Sequence, residues 1–206
     1  MKSSIYFIRH GKTEGTEKGW YYGQADLHLV QEGIDHTKQL AQEGTYPDGE
    51  DAQFVTTGLN RTEQTLNIIY GDVDHHVIPE LQEMNFGDYE CKTFKECDAD
   101  PAFMSWCEDV TGMVAFPNGE SRAEFKKRIH RGLDKLKGYH QLKEFSHRHS
   151  GKDANTVMIC HGGVISTCMR FLLDKENDTM WDWCPEPGHG FRVDFEDGKV
   201  KGYEKF

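Results

Sequence analysis

The chain has 206 residues, 36% hydrophobic and 29% charged, which bounds it to about one domain with a sizeable core. Its 24 Lys and Arg against 35 Asp and Glu leave a net charge of −11, excluding a general electrostatic pull on nucleic acid or anionic lipid. No run approaches the ~20 apolar residues of a membrane helix, and six cysteines without C-x-x-C spacing, behind an N-terminus with no signal-peptide pattern, read as reduced thiols of a cytoplasmic protein.

Residues 3–10 read as a first strand. Ile5-Tyr6-Phe7-Ile8 is β-branched or aromatic throughout, as suits a strand buried on both faces, and Gly11 ends it. Arg9 and His10 therefore stand where the C-terminal end of a strand opens into a loop. Residues 11–30 form a loop rich in glycine and aromatics. Gln31 to Gly44 carries Ile34 and Leu40-Ala41 at helical spacing, with Gly44 suited to the C-terminal cap. Ala52 to Thr57 reads as a second strand ending in hydroxyl residues. Leu59 to Tyr70 is a helix with Leu59, Thr62, Leu66, Ile69 and Tyr70 on one face, and Gly71 stops it. Residues 76–78 form a short third strand.

Residues 82–120 are the least regular, punctuated by Gly87, Pro101, Gly112, Pro117 and Gly119, with a short helix over Pro101 to Glu108. We read about 84–120 as an insertion or lid over one edge of the sheet, within a single domain spanning 1–206. Ser121 and Glu124 make a capping box that opens a helix running to about Phe145. A polar loop, 146–153, leads to the strand Thr156 to Cys160, which runs into His161-Gly162-Gly163 and a helix from Val164 to Leu173. Phe191 to Phe195 alternates as an edge strand does, and Asp197-Gly198 is a hairpin turn into Val200 to Tyr203. Strands alternating with helices predict a three-layer α/β/α sandwich with a mainly parallel central sheet.

His10 and His161 each follow a buried-looking strand and precede a glycine. Arg61 opens the helix after Thr56-Thr57, and Glu83 follows the short strand at 76–78. All four fall at C-terminal strand edges, where ligands bind in open α/β sheets. Guanidinium groups bind phosphate oxygens in a fork, a histidine can attack phosphorus, and a carboxylic acid kept protonated by its surroundings can donate to a leaving oxygen. His75-His76 and His147-Arg148-His149 read as exposed polar residues rather than metal ligands, because adjacent histidines on a strand point to opposite faces and neither cluster has Cys, Asp or Glu at ligand spacing. Cys160 lies inside an apolar strand and reads as core.

Arg9-His10-Gly11, with Arg61, Glu83 and His161-Gly162-Gly163-Val164, resembles the histidine phosphatase superfamily in its phosphoglycerate mutase-like branch. Tyr22-Gly23-Gln24-Ala25-Asp26, the stretch from Glu80 to Glu90, and Pro117-Asn118-Gly119-Glu120-Ser121 resemble the family in the same order. The resemblance implies a phosphoglycerate mutase-like fold with no metal and no cofactor. It makes His10 the nucleophile that becomes phosphohistidine, and gives Arg9, Arg61 and His161 the phosphoryl group to hold. Glu83 becomes general acid and then base, and Gly23, Gln24, Thr16 and Gly162 become substrate-binding positions. There are departures. Lys12 stands where many relatives have Glu, Thr16 where an asparagine often contacts the phosphate, and Val30 where threonine is frequent. Gly58-Leu59-Asn60 precedes Arg61 where relatives often carry proline or a further arginine. These bear on substrate choice rather than on the chemistry.

The expected activity is hydrolysis of a small phosphomonoester through a phosphohistidine. The small phosphatases of this branch include the α-ribazole phosphatases, so α-ribazole 5′-phosphate is the specific expectation. A cofactor-dependent phosphoglycerate mutase is one alternative, but 84–120 offers only Lys92 and Lys95 as basic residues, a poor cradle for a substrate carboxylate. A non-catalytic module binding phosphorylated ligands would need the loss of His10 or Glu83, and both are present; a metal-dependent hydrolase is the third alternative. Trp20, Tyr21, Tyr22, Phe103 and Trp106 either stack on a ring-bearing leaving group or pack the lid. The partner implied is a small-molecule phosphate ester, with neither nucleic acid nor membrane, and a homodimer is left open.

Overall fold

The computed structural model describes residues 2–149 and 151–206; Met1 of the expected 1–206 domain and Ser150 of the expected 146–153 loop lie outside them. Strand β1 (Ser3–Arg9) leads into a short helix α1 (Glu14–Lys18), strand β2 (Trp20–Tyr21) and helix α2 (Gln31–Gln42). Next come β3 (Gln53–Thr56), α3 (Asn60–Tyr70), β4 (His75–Val77), β5 (Lys92–Thr93), α4 (Phe94–Cys97), α5 (Pro101–Glu108) and the long α6 (Arg122–His147). Strand β6 (Ala154–Cys160), helix α7 (Gly162–Leu172) and the hairpin β7 (Gly190–Glu196) to β8 (Lys199–Lys205) complete the order.

Six strands form one sheet in the order β4-β3-β6-β1-β7-β8. The first four are parallel, and β7 and β8 run antiparallel to their neighbours. Alternation along the strands divides the interior in two. Ile5 and Phe7 of β1, with Met158 and Cys160 of β6, face Ile129, Leu133 and Leu136 of α6 and Val164, Ile165 and Cys168 of α7. Ile8, Val157 and Ile159 face the opposite way, onto Leu66 and Ile69 of α3, and α2 packs beside α3. The result is an α/β/α sandwich whose central strands are covered on both faces, which is why they read as unbroken apolar runs.

The differences from the sequence reading have local causes. Residues 11–30 are not all loop, because Thr13 and Thr16 cap each other's backbone N–H groups and start α1. Threonine replaces the usual Glu or Gln of that motif, which hides it in the sequence. Helix α7 begins at Gly162, with His161 as its cap, although two glycines are poor helix formers. Strand β7 is not an edge strand: it lies between β1 and β8, and its alternation reflects one face turned to the core. The hairpin turn forms as its Asp-Gly pair implies, with φ of 50° at Asp197 and 73° at Gly198. The Ser121–Glu124 capping box is present.

Within 84–120, β5 pairs antiparallel with β2, joining the segment to the loop after β1. Tyr89, Phe103 and Phe116 are buried and continuous with the core under α6, and Trp106 stacks on Phe116 at 4.2 Å. Among the described residues no helix is long and apolar enough to cross a membrane.

Candidate active site

Strands β1 and β6 run side by side and parallel, with Arg9 opposite Cys160. The ladder extends one step, as the His10 N–H donates to the Cys160 carbonyl at 3.0 Å. The next residues on the two strands, His10 and His161, leave the sheet together, with ring centroids 5.3 Å apart and edge to face. Arg61, in the first turn of α3, is wholly buried. Its Nε donates to His161 Nδ1 at 3.3 Å, and its Nη1 and Nη2 donate to the carbonyls of Ala25 and Gly23 at 2.8 and 2.7 Å. An arginine only donates, so His161 Nδ1 is the acceptor. The neutral ring then carries its proton on Nε2, 3.0 Å from Thr57 Oγ1 just past β3.

His10 has the opposite tautomer. Its Nδ1 lies 2.7 Å from the Gly11 carbonyl, which can only accept, so the proton sits on Nδ1 and the lone pair on Nε2. Burial, reinforced by Arg61 and Arg9, holds His10 well below the usual histidine range. Burial, Arg61 and His10 do the same to His161. Both imidazoles are therefore neutral. Arg9 donates from Nη1 to the Pro185 carbonyl at 2.8 Å, while its Nε is a buried donor with no acceptor among the described residues. Gly162 lets α7 come close here, for a Cβ would meet Cys184 Sγ at 2.7 Å and Arg9 Nε at 3.4 Å.

Glu83 follows a 3-10 turn, Pro79–Leu81. Its Oε2 accepts the N–H of Gly163 at 2.9 Å and its Oε1 accepts that of Met84 at 3.0 Å. The carboxylate is thus brought to the first turn of α7, one residue beyond Gly162. Five residues from four separate segments, Arg9, His10, Arg61, Glu83 and His161, border one small region at the C-terminal strand edge.

The four substrate-binding positions implied by resemblance are placed differently. Gly162 adjoins Arg9, and Gly23 gives its carbonyl to Arg61. Gln24 is exposed and reaches the Glu83 carbonyl with Nε2 at 3.3 Å. The Thr16 hydroxyl is 2.8 Å from the Tyr22 hydroxyl, so it is already engaged. Tyr22 itself borders the site, its ring centroid 6.2 Å from that of His10 and 5.2 Å from Arg61 Cζ. Of the other aromatics, Tyr21 and Phe103 pack edge to face, Trp106 stacks on Phe116, and Trp20 lies under Lys18. Lys12 points away to Glu32 and Glu17, at 2.8 and 3.6 Å.

Three residues to which the sequence assigned no role hold this arrangement. Glu90 accepts the N–H groups of Gly23, Gln24, Ala25 and Phe86, gripping from one side the loop whose carbonyls grip Arg61 from the other. Arg128 and Glu120 brace the backbone around Glu83. A carboxylate that caps bare N–H groups across 65 residues leaves no periodic trace in a sequence. His75 and His76 are exposed, as expected, but His147 is buried, with Nδ1 2.9 Å from the Asp153 carbonyl, because the last turn of α6 tucks it against the approach to β6. Among the described residues no three His, Cys, Asp or Glu side chains converge as a metal-ligand set.

Paired histidines at adjacent strand ends of an α/β sandwich place the chain with the phosphate-handling α/β enzymes. More particularly, it belongs to the histidine phosphatase superfamily (branch 1), whose sequence model matches residues 5–203. It is 27% identical over 198 residues to the adenosylcobalamin/alpha-ribazole phosphatase of Salmonella typhimurium (strain LT2), covering 94% of this chain and 91% of that protein. The protein of that name from Escherichia coli (strain K12) is 28% identical over 195 residues, 92% of this chain and 89% of its own. The crystal structure of the alpha-ribazole phosphatase from Shigella flexneri superposes with a TM-score of 0.76 at 25% identity, covering 96% of this chain and 93% of that one. A phosphoglycerate mutase from Thermus thermophilus shares the fold, with a TM-score of 0.67 at 24% identity over 97% of each chain.

Proposed function

We propose that the protein hydrolyses a small phosphomonoester through a phosphohistidine on His10, with α-ribazole 5′-phosphate as the substrate its relatives point to. The observation that carries the reading is the His10 tautomer: the Nδ1–H is held by Gly11 O, which leaves the Nε2 lone pair for phosphorus in a ring kept neutral by burial and two guanidiniums. Arg9 Nε, buried without a protein acceptor, is suited to a phosphoryl oxygen. Arg61, fixed by three acceptors, is ready to neutralise charge that builds on the equatorial oxygens.

In the first half-reaction the Nε2–P bond forms and the ester P–O bond breaks, with Glu83 giving a proton to the departing oxygen. In the second, water attacks phosphorus, Glu83 takes its proton, and inorganic phosphate and free His10 are released. Hydrolysis is favoured over mutase chemistry because the basic residue Lys92 is occupied, its Nζ on the Asp88 carbonyl at 2.7 Å and over the Tyr89 ring. The test is phosphate release from p-nitrophenyl phosphate with and without a chelator, followed by a substrate panel containing α-ribazole 5′-phosphate and phosphoglycerates. Turnover indifferent to chelator, loss of it in a folded His10→Ala protein, and an acid-labile phosphoprotein trapped in the wild type are the expected results. Retained hydrolysis by folded His10→Ala would remove the mechanism.

A further inference from the structure

The geometry points to Arg128 and Glu120 as a positioning pair that sets the orientation of Glu83, and so the efficiency with which the leaving oxygen is protonated. The inference rests on the reading of Glu83 as general acid. The segment carrying Glu83 has no strand beside it to fix its backbone, so its carbonyls need partners from elsewhere. Arg128 supplies them. One side of its guanidinium meets the Glu120 carboxylate as a fork, with Nε to Oε1 at 2.7 Å and Nη2 to Oε2 at 2.6 Å. The other side donates to three carbonyls of the acid-bearing segment, Nη1 to those of Glu80 and Gln82 at 2.9 and 2.8 Å and Nη2 to that of Glu83 itself at 3.1 Å. Glu120 completes the brace, as its Oε2 accepts the Asn85 N–H at 2.9 Å and its own N–H donates to the Asn85 carbonyl at 2.9 Å.

Both side chains are largely shielded, at 16% and 18% exposure, so the pair is held in one geometry rather than sampled at the surface. The anchor is rigid. Arg128 stands on the 26-residue helix α6, which presses so closely on the turn before Glu83 that a Cβ at Gly132 would lie 2.7 Å from Leu81 side-chain carbons. Every link from α6 to the Glu83 backbone is thus a short contact, and the carboxylate at the far end has only the Gly163 and Met84 N–H groups, among the described residues, to orient it. Lysine cannot replace the arginine here, because its ammonium is a point donor without a planar fork.

A positioning role and a merely structural one separate through the leaving group. Protonation matters greatly for an alkoxide and little for p-nitrophenolate, and kcat/KM reports the half-reaction in which that oxygen leaves. Loss of folded protein lowers both substrates by the same factor and cancels in their ratio. We therefore expect Arg128→Lys and Glu120→Gln to raise the ratio of kcat/KM for p-nitrophenyl phosphate over that for an alkyl phosphate by about tenfold or more, while Glu83→Gln raises it by about 10²-fold or more, within the range of general acid catalysis. An unchanged ratio in both Arg128→Lys and Glu120→Gln, beside a raised ratio in Glu83→Gln, overturns the positioning role alone. An unchanged ratio in Glu83→Gln overturns the general-acid reading beneath it. Glu120→Gln keeps the shape of the brace and one carbonyl acceptor, so it serves should Arg128→Lys fail to fold.

Discussion

Gly163 donates its backbone N–H to Glu83 Oε2 at 2.9 Å, and a Cβ on residue 163 would stand 2.5 Å from Glu83 Oε1. The carboxylate and the helix start are fitted to each other with no space between them. Gly163 is in the first turn of α7 without a positive φ, so alanine suits its backbone and stabilises by about 0.4–1 kcal/mol through the unfolded chain. We expect Gly163→Ala to keep or raise the melting temperature while lowering kcat/KM for an alkyl phosphate by about 10²-fold, since it displaces the proposed acid. Calorimetry paired with steady-state kinetics checks this, and equal activity in the variant would show that Glu83 need not sit where it does.

Glu90 is expected to matter almost as much without approaching the phosphate. Its carboxylate accepts four backbone N–H groups, three of them on the loop that holds Arg61. Glu90→Gln replaces one acceptor oxygen by a donor that faces the same N–H groups. A loss of about 1–3 kcal/mol in urea unfolding is expected, with KM raised more than kcat is lowered, because Arg61 loses its framing. A variant with wild-type stability and KM would contradict the clamp.

Three of the buried histidines give the fold a definite acid side. Burial holds His10, His161 and His140 below their usual range, and His140 is locked between Ser3 and Thr156 hydroxyls. A depressed folded-state value means that the unfolded chain binds the proton first. The associated stability is fully present above about pH 6.5, the unfolded value, and is lost as pH falls through the folded values. The melting temperature should be flat above that point and decline below it. His140→Gln, which cannot charge, should make the decline shallower; an unaltered slope would place the acid lability elsewhere.

Lys12 stands just past the end of β1, and its ammonium is spent on Glu32 and Glu17 at the surface. Lys12→Ala is expected to leave stability close to that of the wild type, as exposed ion pairs contribute little, and to leave the order of preference among substrates unaltered. Tyr22→Phe, which removes the hydroxyl bonded to Thr16 beside His10, is expected to reorder it. A substrate panel run on both variants distinguishes the two positions.

Much of this could be read in the chain. Ile5 to Ile8 and Val157 to Cys160 announce central strands because burial on both faces demands unbroken apolar runs, and the polar residue that follows each must then lie at the sheet's edge. Ser121-x-x-Glu124 and Asp197-Gly198 are short-range devices whose geometry is nearly autonomous, and both are present. What could not be read depends on distant backbone. Glu90, Arg128 and Glu120 act on N–H and carbonyl groups that nearly every residue possesses, so nothing in the sequence marks their targets. Helix α1 escaped because five residues offer no period, and β7, found as a strand, was assigned to the edge because a strand with one face turned to the core alternates as an edge strand does. The convergence of Arg9, His10, Arg61, Glu83 and His161 followed from strand order, while the grip on each came from contacts without a sequence signature.

Arg61 leans on two carbonyls and an imidazole nitrogen, and Arg9 on a carbonyl; among the described residues neither shares an ion pair with a carboxylate. In a chain of net charge −11 this leaves two cations that no direct carboxylate contact neutralises. As the proposed phosphate site, this pair of cations does not distinguish the phosphate of an ester from the one just set free. Inorganic phosphate should therefore compete with substrate, and the rate of the enzyme should fall as its own product accumulates, a brake set by the neutral partners of two arginines and readable as a competitive pattern in initial-rate kinetics.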